Sequence, residues 1–169
     1  MSVSQDVEVR SWLDRLAIQD LIFQYSNALT RGDYDQMAGL FAADAIWESP
    51  LLGLHFDSAS AFIQMNIEGS DDLNVLIQTP HSPVIELLSS ERARATTTIH
   101  ERIRGTTPTA SALGDAGAEL NVDQYGMYYD DAARFDGDWK FTHRLFVPFL
   151  IATGTVAGDV VTKRPLFQP

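Results

Sequence analysis

Glu101 breaks a pattern. The run from Glu91 to Arg104 alternates, with Ala93, Ala95, Thr97, Ile99, Glu101 and Ile103 on one face and Arg92, Arg94, Thr96, Thr98, His100, Arg102 and Arg104 on the other. A carboxylate on that apolar face is costly unless it is paired or meets a wet pocket. It reads as an acid near the strand end, as one paired with an arginine such as Arg102 or Arg134, or as an orienting partner of His81. His81 lies between Pro80 and Pro83 and is expected to face the side of Ile85 and Leu87. An imidazole there is either a general base or a core histidine bonded to backbone. Tyr25 falls on the apolar stripe of the first helical segment, where its hydroxyl needs a partner or a ligand. Tyr128 and Asp130 form a Tyr-x-Asp on a later strand, facing inward in a structural or pocket role or in a catalytic one, with Asp130 as an orienting acid. His143 shares a face with Trp139, Phe141 and Leu145 and is expected to point inward, as a second acid/base or a satisfied core histidine. Trp47 and Phe62 are expected as core or pocket walls. His100 falls among arginines on the polar face, and His55 in a loop.

Other chemistries find no support. The chain has no cysteine, so neither a disulfide nor a thiolate metal site can form. No His/Asp/Glu grouping has the i, i+4 histidine spacing of a helical metal site, and the glycines are isolated rather than gathered in a phosphate-cradling loop. No metal and no cofactor are expected. A formal net charge of -11 argues against nucleic acid, whose phosphates call for a basic face, and against an anionic membrane surface. The first residues carry no basic stretch followed by an apolar run, so the expectation is a cytoplasmic protein with no signal peptide.

The elements that must position these groups follow from period and punctuation. Apolar residues from Val9 to Thr30 recur at helical spacing (Val9, Trp12, Leu13, Leu16, Leu21, Ile22, Tyr25, Ala28, Leu29), and Gly32 suits the helix end. Asp33 with Gln36 reads as a capping box for a short helix from Tyr34 to Phe41. A brief strand from Ala45 to Glu48 follows, then a helix from Ala59 to Ile67 capped by Asp57 or Ser58. The remainder is β in period: Thr79 to Leu88, Glu91 to Arg104, Leu120 to Phe135, and Trp139 to Leu150. Gly105 to Gly117 reads as a long hairpin loop, and Asp136-Gly137-Asp138 as a tight turn. Helices first and antiparallel strands later give an α+β class. The expectation is one domain over 1–169, with its core at about 9–150 and a tail over 151–169 that covers a pocket mouth or a neighbouring subunit.

Several short stretches in this order carry a resemblance: Arg15-Leu16-Ala17-Ile18-Gln19-Asp20-Leu21, Gly32-Asp33-Tyr34-Asp35, Leu40-Phe41-Ala42-Ala43-Asp44-Ala45, Thr79-Pro80-His81, Gly126-Met127-Tyr128-Tyr129-Asp130 and Asp136-Gly137-Asp138-Trp139-Lys140-Phe141. Together they resemble the SnoaL-like branch of the nuclear-transport-factor-2-like (NTF2-like, cystatin-like) superfamily. The resemblance implies a cone: N-terminal helices packed in a curved, mostly antiparallel sheet around an apolar pocket, in a homo-dimer or homo-trimer formed through the sheet. It implies a cofactor-independent lyase, dehydratase-like, or an isomerase acting on a small apolar cyclic molecule of aromatic, terpenoid or steroid size. Enzymes of this branch eliminate water or HCl with a His–Asp dyad, often with a tyrosine. By that match His81 falls on the base and Tyr25 on the helix tyrosine, while Thr30 stands where the aspartate belongs. Threonine cannot carry the charge. Glu101 is therefore the candidate replacement partner of His81, and Thr30, Trp47, Phe62, Tyr128, Asp130 and His143 are candidate substrate contacts. The alternative reading is a non-catalytic ligand-binding module, or an accessory subunit like the β subunit of a ring-hydroxylating dioxygenase.

Overall fold

The computed structural model describes residues 3–107 and 115–154. Three helices, α1 (Val3–Arg31), α2 (Tyr34–Gly39) and α3 (Ala59–Glu68), accompany a seven-stranded sheet. Its strands are β1 (Phe41–Ser49), β2 (Leu54–Phe56), β3 (Leu73–Pro80), β4 (Val84–Leu87), β5 (Arg92–Thr106), β6 (Glu119–Phe135) and β7 (Asp138–Thr153). Their order is β2-β1-β7-β6-β5-β3, with β4 also paired to β5. The β1–β7 pair is parallel and the other pairs are antiparallel. The class is α+β, with helices packed against a curved, unclosed sheet and α1 lying chiefly against β3.

Local chemistry explains the boundaries. The Asp33 carboxylate accepts from the Gln36 backbone N–H at 3.0 Å and starts α2, as its position implied. That helix ends before Phe41, which opens β1, so the strand expected from Ala45 to Glu48 begins earlier and is nine residues long. Ser58, not Asp57, caps α3 by accepting from the Ala61 N–H at 3.3 Å. Asp136 (φ 51°) and Gly137 (φ 96°) both take the left-handed conformation that closes a two-residue hairpin without splaying its strands. The expected β stretch from Thr79 to Leu88 is two strands, because Pro80 and Pro83 flank a break in the ladder. The last strand runs to Thr153, so the start of the expected tail belongs to the sheet. Residues 155–169 and much of the expected hairpin loop lie outside the described residues.

Two departures from simple periodicity bear on function. In α1 the apolar residues split into two stripes. Ile18, Leu21, Ile22, Tyr25, Ala28 and Leu29 are buried, whereas Val9, Trp12, Leu13 and Leu16 are exposed. In β7 the ladder with β6 shifts register between Asp131 and Ala132, leaving Thr142 as an extra residue. That bulge changes which residues face inward: Trp139 and Phe141 before it, Arg144 and Phe146 after it, are all buried. His143, expected inward with Trp139 and Phe141, is turned to the outer face instead.

Candidate active site

Strands β5, β6 and β7 and helix α1 supply the centre of the interior, and β3 adds Gln78. Ala93, Ala95, Thr97, Ile99 and Glu101 of β5 face inward opposite Ala132, Asp130, Tyr128, Gly126 and Gln124 of β6. On β7, Arg144 pairs with Asp130 and Phe146 with Tyr128. From α1, Tyr25 drops into the same space, its ring edge-on to Tyr128 (centroids 6.0 Å, 79°) and to Phe141 (6.1 Å, 83°).

At the centre is an ion pair with almost no solvent contact. Arg144 Nε donates to Asp130 Oδ1 at 2.7 Å and Nη2 to Oδ2 at 3.2 Å, both side chains being 1% exposed. The guanidinium lies 4.0 Å from the ring centroids of Tyr25 and Tyr128 and 4.1 Å from that of Phe141. An aromatic cage thus supplies cation–π attraction where water would otherwise solvate the charge. Burial pushes the Asp130 carboxyl up, with the Arg144 charge and hydrogen bonds pulling it back. Burial also works against the Arg144 cation, but the Asp130 charge and the neighbouring tyrosines outweigh it and hold the guanidinium protonated. One donor, Arg144 Nη1, is buried with no hydrogen-bond partner among the described residues.

Beside this pair, whose guanidinium touches Tyr25 and Tyr128 only through their rings, a hydrogen-bonded chain runs from the tyrosine hydroxyls to Glu101. The Tyr25 and Tyr128 hydroxyls are hydrogen-bonded to each other. Gln78 Nε2 reaches the Tyr128 hydroxyl at 3.5 Å and donates to Glu101 Oε2 at 2.7 Å, while its Oε1 accepts from Ser26 Oγ at 2.8 Å. Gln124 Nε2 donates to the other carboxylate oxygen at 2.6 Å. Glu101 is 8% exposed. Burial pushes the Tyr25 hydroxyl up to about 12, with Arg144 pulling it back, and pushes Tyr128 well above the ordinary tyrosine range. At neutral pH both phenols are therefore protonated. Such an arrangement can receive a proton at a carboxylate and offer hydrogen bonds to an oxygen or leaving group nearby.

The other expected site residues lie elsewhere. His81 follows β3 in the short connection to β4 and is exposed; its backbone N–H donates to Thr98 O at 2.9 Å. It does not share the half-buried side of Ile85 and Leu87. The expected His81–Glu101 pair is not formed, because the β3–β5 register brings Gln78, not His81, opposite Glu101. Thr30 Oγ1 accepts from the Gln78 backbone N–H at 3.0 Å, tying the end of α1 to β3. His143 Nε2 lies 2.9 Å from Glu48 Oε1 on the outer face. His55, expected in a loop, stands in β2 with its Nδ1 3.1 Å from Glu48 Oε2. His100 is stacked on Tyr125 (4.4 Å, 6°) and bonded to Asp123. Trp47 and Phe62 stack at 4.6 Å and 10° in the core, and Phe56 completes that wall. Among the described residues no group of three or more His, Asp or Glu side chains is arranged to hold a metal ion.

Sequence reasoning missed Arg144, Gln78, Gln124 and Ser26. The two glutamines leave a trace, as polar residues in phase with Leu76 and with Leu120 and Val122. Arg144 leaves none, since an unbroken alternation puts it outside.

The SnoaL-like domain family matches residues 10–145 of the chain. Among solved structures, a candidate scytalone dehydratase from Novosphingobium aromaticivorans superposes with a TM-score of 0.72 at 18% identity, over 96% of this chain and 99% of that one. A hexachlorocyclohexane dehydrochlorinase (LinA, type 2) gives 0.73 at 15% identity, over 94% and 99%. A candidate aromatic ring hydroxylase from Novosphingobium aromaticivorans gives 0.69 at 18% identity, over 83% and 93%. At these identities the structures establish a shared fold and nothing finer. No curated protein matches the sequence. No helix among the described residues is long and apolar enough to cross a membrane. Because the family match runs from the first helix into the last strand, this protein belongs to the SnoaL-like domain family.

Proposed function

We propose that the protein is a cofactor-independent lyase or isomerase that moves a proton on a small, apolar cyclic molecule. The observation that supports this best is Glu101, a carboxylate 8% exposed and gripped by two amides, linked through Gln78 to the paired hydroxyls of Tyr25 and Tyr128. In this reading Glu101 takes the carbon-bound proton. The electron pair released forms or shifts a double bond, and the tyrosine pair donates to the oxygen or leaving group on which negative charge develops. Arg144 Nη1, a buried donor without a partner among the described residues, adds positive potential to that charge. His81, exposed in the connection between β3 and β4, is not the enclosed base in this reading. The buried aromatic side chains of this interior (Trp47, Phe62, Phe141, Phe146) favour an aromatic, terpenoid or steroid-like ring over a sugar or nucleotide.

The names of similar structures supply the first substrates to try. Elimination of water from scytalone and of HCl from hexachlorocyclohexane can be assayed with wild type, Glu101→Gln and His81→Ala. Turnover lost in Glu101→Gln and retained, at a reduced rate, in His81→Ala supports the assignment. Loss in His81→Ala alone returns the base role to the rim histidine. A second reading, an accessory subunit of a ring hydroxylase, is favoured by the commitment of Thr30 to the Gln78 backbone and by the exposed position of His81. Purification as a stoichiometric complex with a larger iron–sulfur subunit would select it.

A further inference from the structure

The first turns of α1 carry an apolar face that the described fold leaves bare. From residue 5 to residue 13 every side chain is exposed except half-buried Ser11, and Asp14 is the next to be buried. Val9 is 50% exposed, Trp12 63%, Leu13 58% and Leu16 58%. Their spacing is that of one helical stripe. At about 100° per residue its centre lies roughly half a turn from the buried stripe of Ile18, Leu21, Ile22 and Tyr25. The helix is thus apolar on two opposite faces, of which the sheet covers one. Even on the covered side, a cleft of about 530 Å³ separates these turns from the Leu87–Ser90 segment. A projecting piece of helix this short is marginal in water without packing.

The charges beside the stripe suit a second copy of this chain. Glu8 and Arg15 lie on the same flank of the exposed face, one near each end. Arg15 rests Nη1 on Ile85 O, and a guanidinium has further N–H donors for a second acceptor. In an antiparallel pair of α1 helices centred between Trp12 and Leu13, like flanks meet. Glu8 of one copy then falls within about two residues, or about 3 Å along the axis, of Arg15 of the other. Two-fold symmetry makes that contact twice, while Trp12 and Leu13 of both copies meet at the axis and Val9 packs near Leu16. We propose that two copies associate through this antiparallel α1–α1 contact, on the side of the helix away from the sheet. At the exposures above the four apolar side chains offer roughly 450 Å² per copy, at the low end of specific interfaces and in the class of weak, reversible pairing.

The absence of cysteine makes the test clean. Sedimentation of the full chain over a hundredfold dilution series should show a monomer–dimer equilibrium, and Trp12→Glu or Leu16→Glu should raise its dissociation constant at least tenfold. Both positions are exposed in the single chain, so the far-UV circular dichroism of each variant should match wild type. Leu13→Cys should form an inter-chain disulfide under mild oxidation, whereas Tyr125→Cys, on the outer face of the sheet, should not. A chain that stays monomeric across the series overturns the proposal. So does a dimer that is indifferent to Trp12→Glu and cross-links through Tyr125→Cys but not Leu13→Cys, which would move the contact to the sheet.

Discussion

The Arg144–Asp130 pair offers a test in which single and double substitutions should have opposite effects. Asp130→Asn keeps the shape of the side chain and removes its charge. The guanidinium, 1% exposed, would then lie buried beside an amide that accepts one hydrogen bond in place of a carboxylate that accepts two at 2.7 and 3.2 Å. Removing one partner of a buried pair costs about 3–5 kcal/mol. The rings of Tyr25, Tyr128 and Phe141 still face the cation, so the lower end, about 3 kcal/mol, is expected here. With a urea m-value of about 2 kcal/mol/M for a chain of this size, the unfolding midpoint should fall by about 1.5 M. Replacing both partners with apolar groups, Asp130→Leu with Arg144→Met, removes both desolvation penalties and leaves a thioether among three rings. That double variant should be as stable as wild type or more so, by up to about 4 kcal/mol. Urea melts followed by far-UV circular dichroism measure both. A loss below about 1 kcal/mol in Asp130→Asn, the scale of an exposed pair, would refute the picture of a desolvated ion pair in an aromatic cage.

Other expectations follow from the outer face and the backbone. Hydrogen bonds that His55 donates to Glu48 and then Asp57 raise its imidazole, while hydrogen bonds accepted from His143 and then His55 lower Glu48. The raised His55 contributes stability that is complete below about pH 6.5 and lost as pH rises through its folded value; the lowered Glu48 contributes above about pH 4.5 and fails as pH falls through its own. NMR titration should therefore place His55 above 6.5, and Glu48→Gln should bring it back down. A Cβ at Gly126 would overlap the Phe146 ring and stand 2.8 Å from Val147 O, so Gly126→Ala should cost about 1–3 kcal/mol in a thermal or urea melt. Thr30→Val leaves the Gln78 N–H without its acceptor and should cost about 1 kcal/mol. Because Gln78 also holds Glu101, the same variant should lower any activity that Glu101 supports.

Most of the fold could be read from the sequence because its signals are local. Helical spacing locates α1, Asp33 and Ser58 cap the next two helices, and Asp136-Gly137 closes the last hairpin. The strand break at Pro80 and Pro83 shows in the sequence only as two prolines, and the three-residue β2 is too short for any period. The site was less accessible for two physical reasons. A single extra residue at Thr142 reverses the side chains of β7 from His143 to Pro148, where a second shift at Phe149 ends the run, and so exchanges His143 for Arg144 in the interior. Nothing in the order Thr142-His143-Arg144-Leu145 announces that bulge. Glu101 was legible because its neighbours on β5 keep strict alternation, yet its partners were not. They depend on register between strands far apart in sequence, which pairs Glu101 with Gln78 and Gln124 and leaves His81 beyond the end of β3.

Whether Glu101, aided by the tyrosine pair, moves protons on an enclosed carbon acid can be measured without knowing the substrate. Wild type, Glu101→Gln, Tyr25→Phe and His81→Ala are incubated in D₂O with cyclic ketones of one to three fused rings, and deuterium uptake at the α-carbon is followed by NMR. Uptake above the buffer rate is expected for at least one ring size, abolished in Glu101→Gln, cut about 10²-fold or more in Tyr25→Phe, and retained in His81→Ala. Uptake unchanged in Glu101→Gln, with its loss confined to His81→Ala, would contradict the assignment of Glu101 as the base.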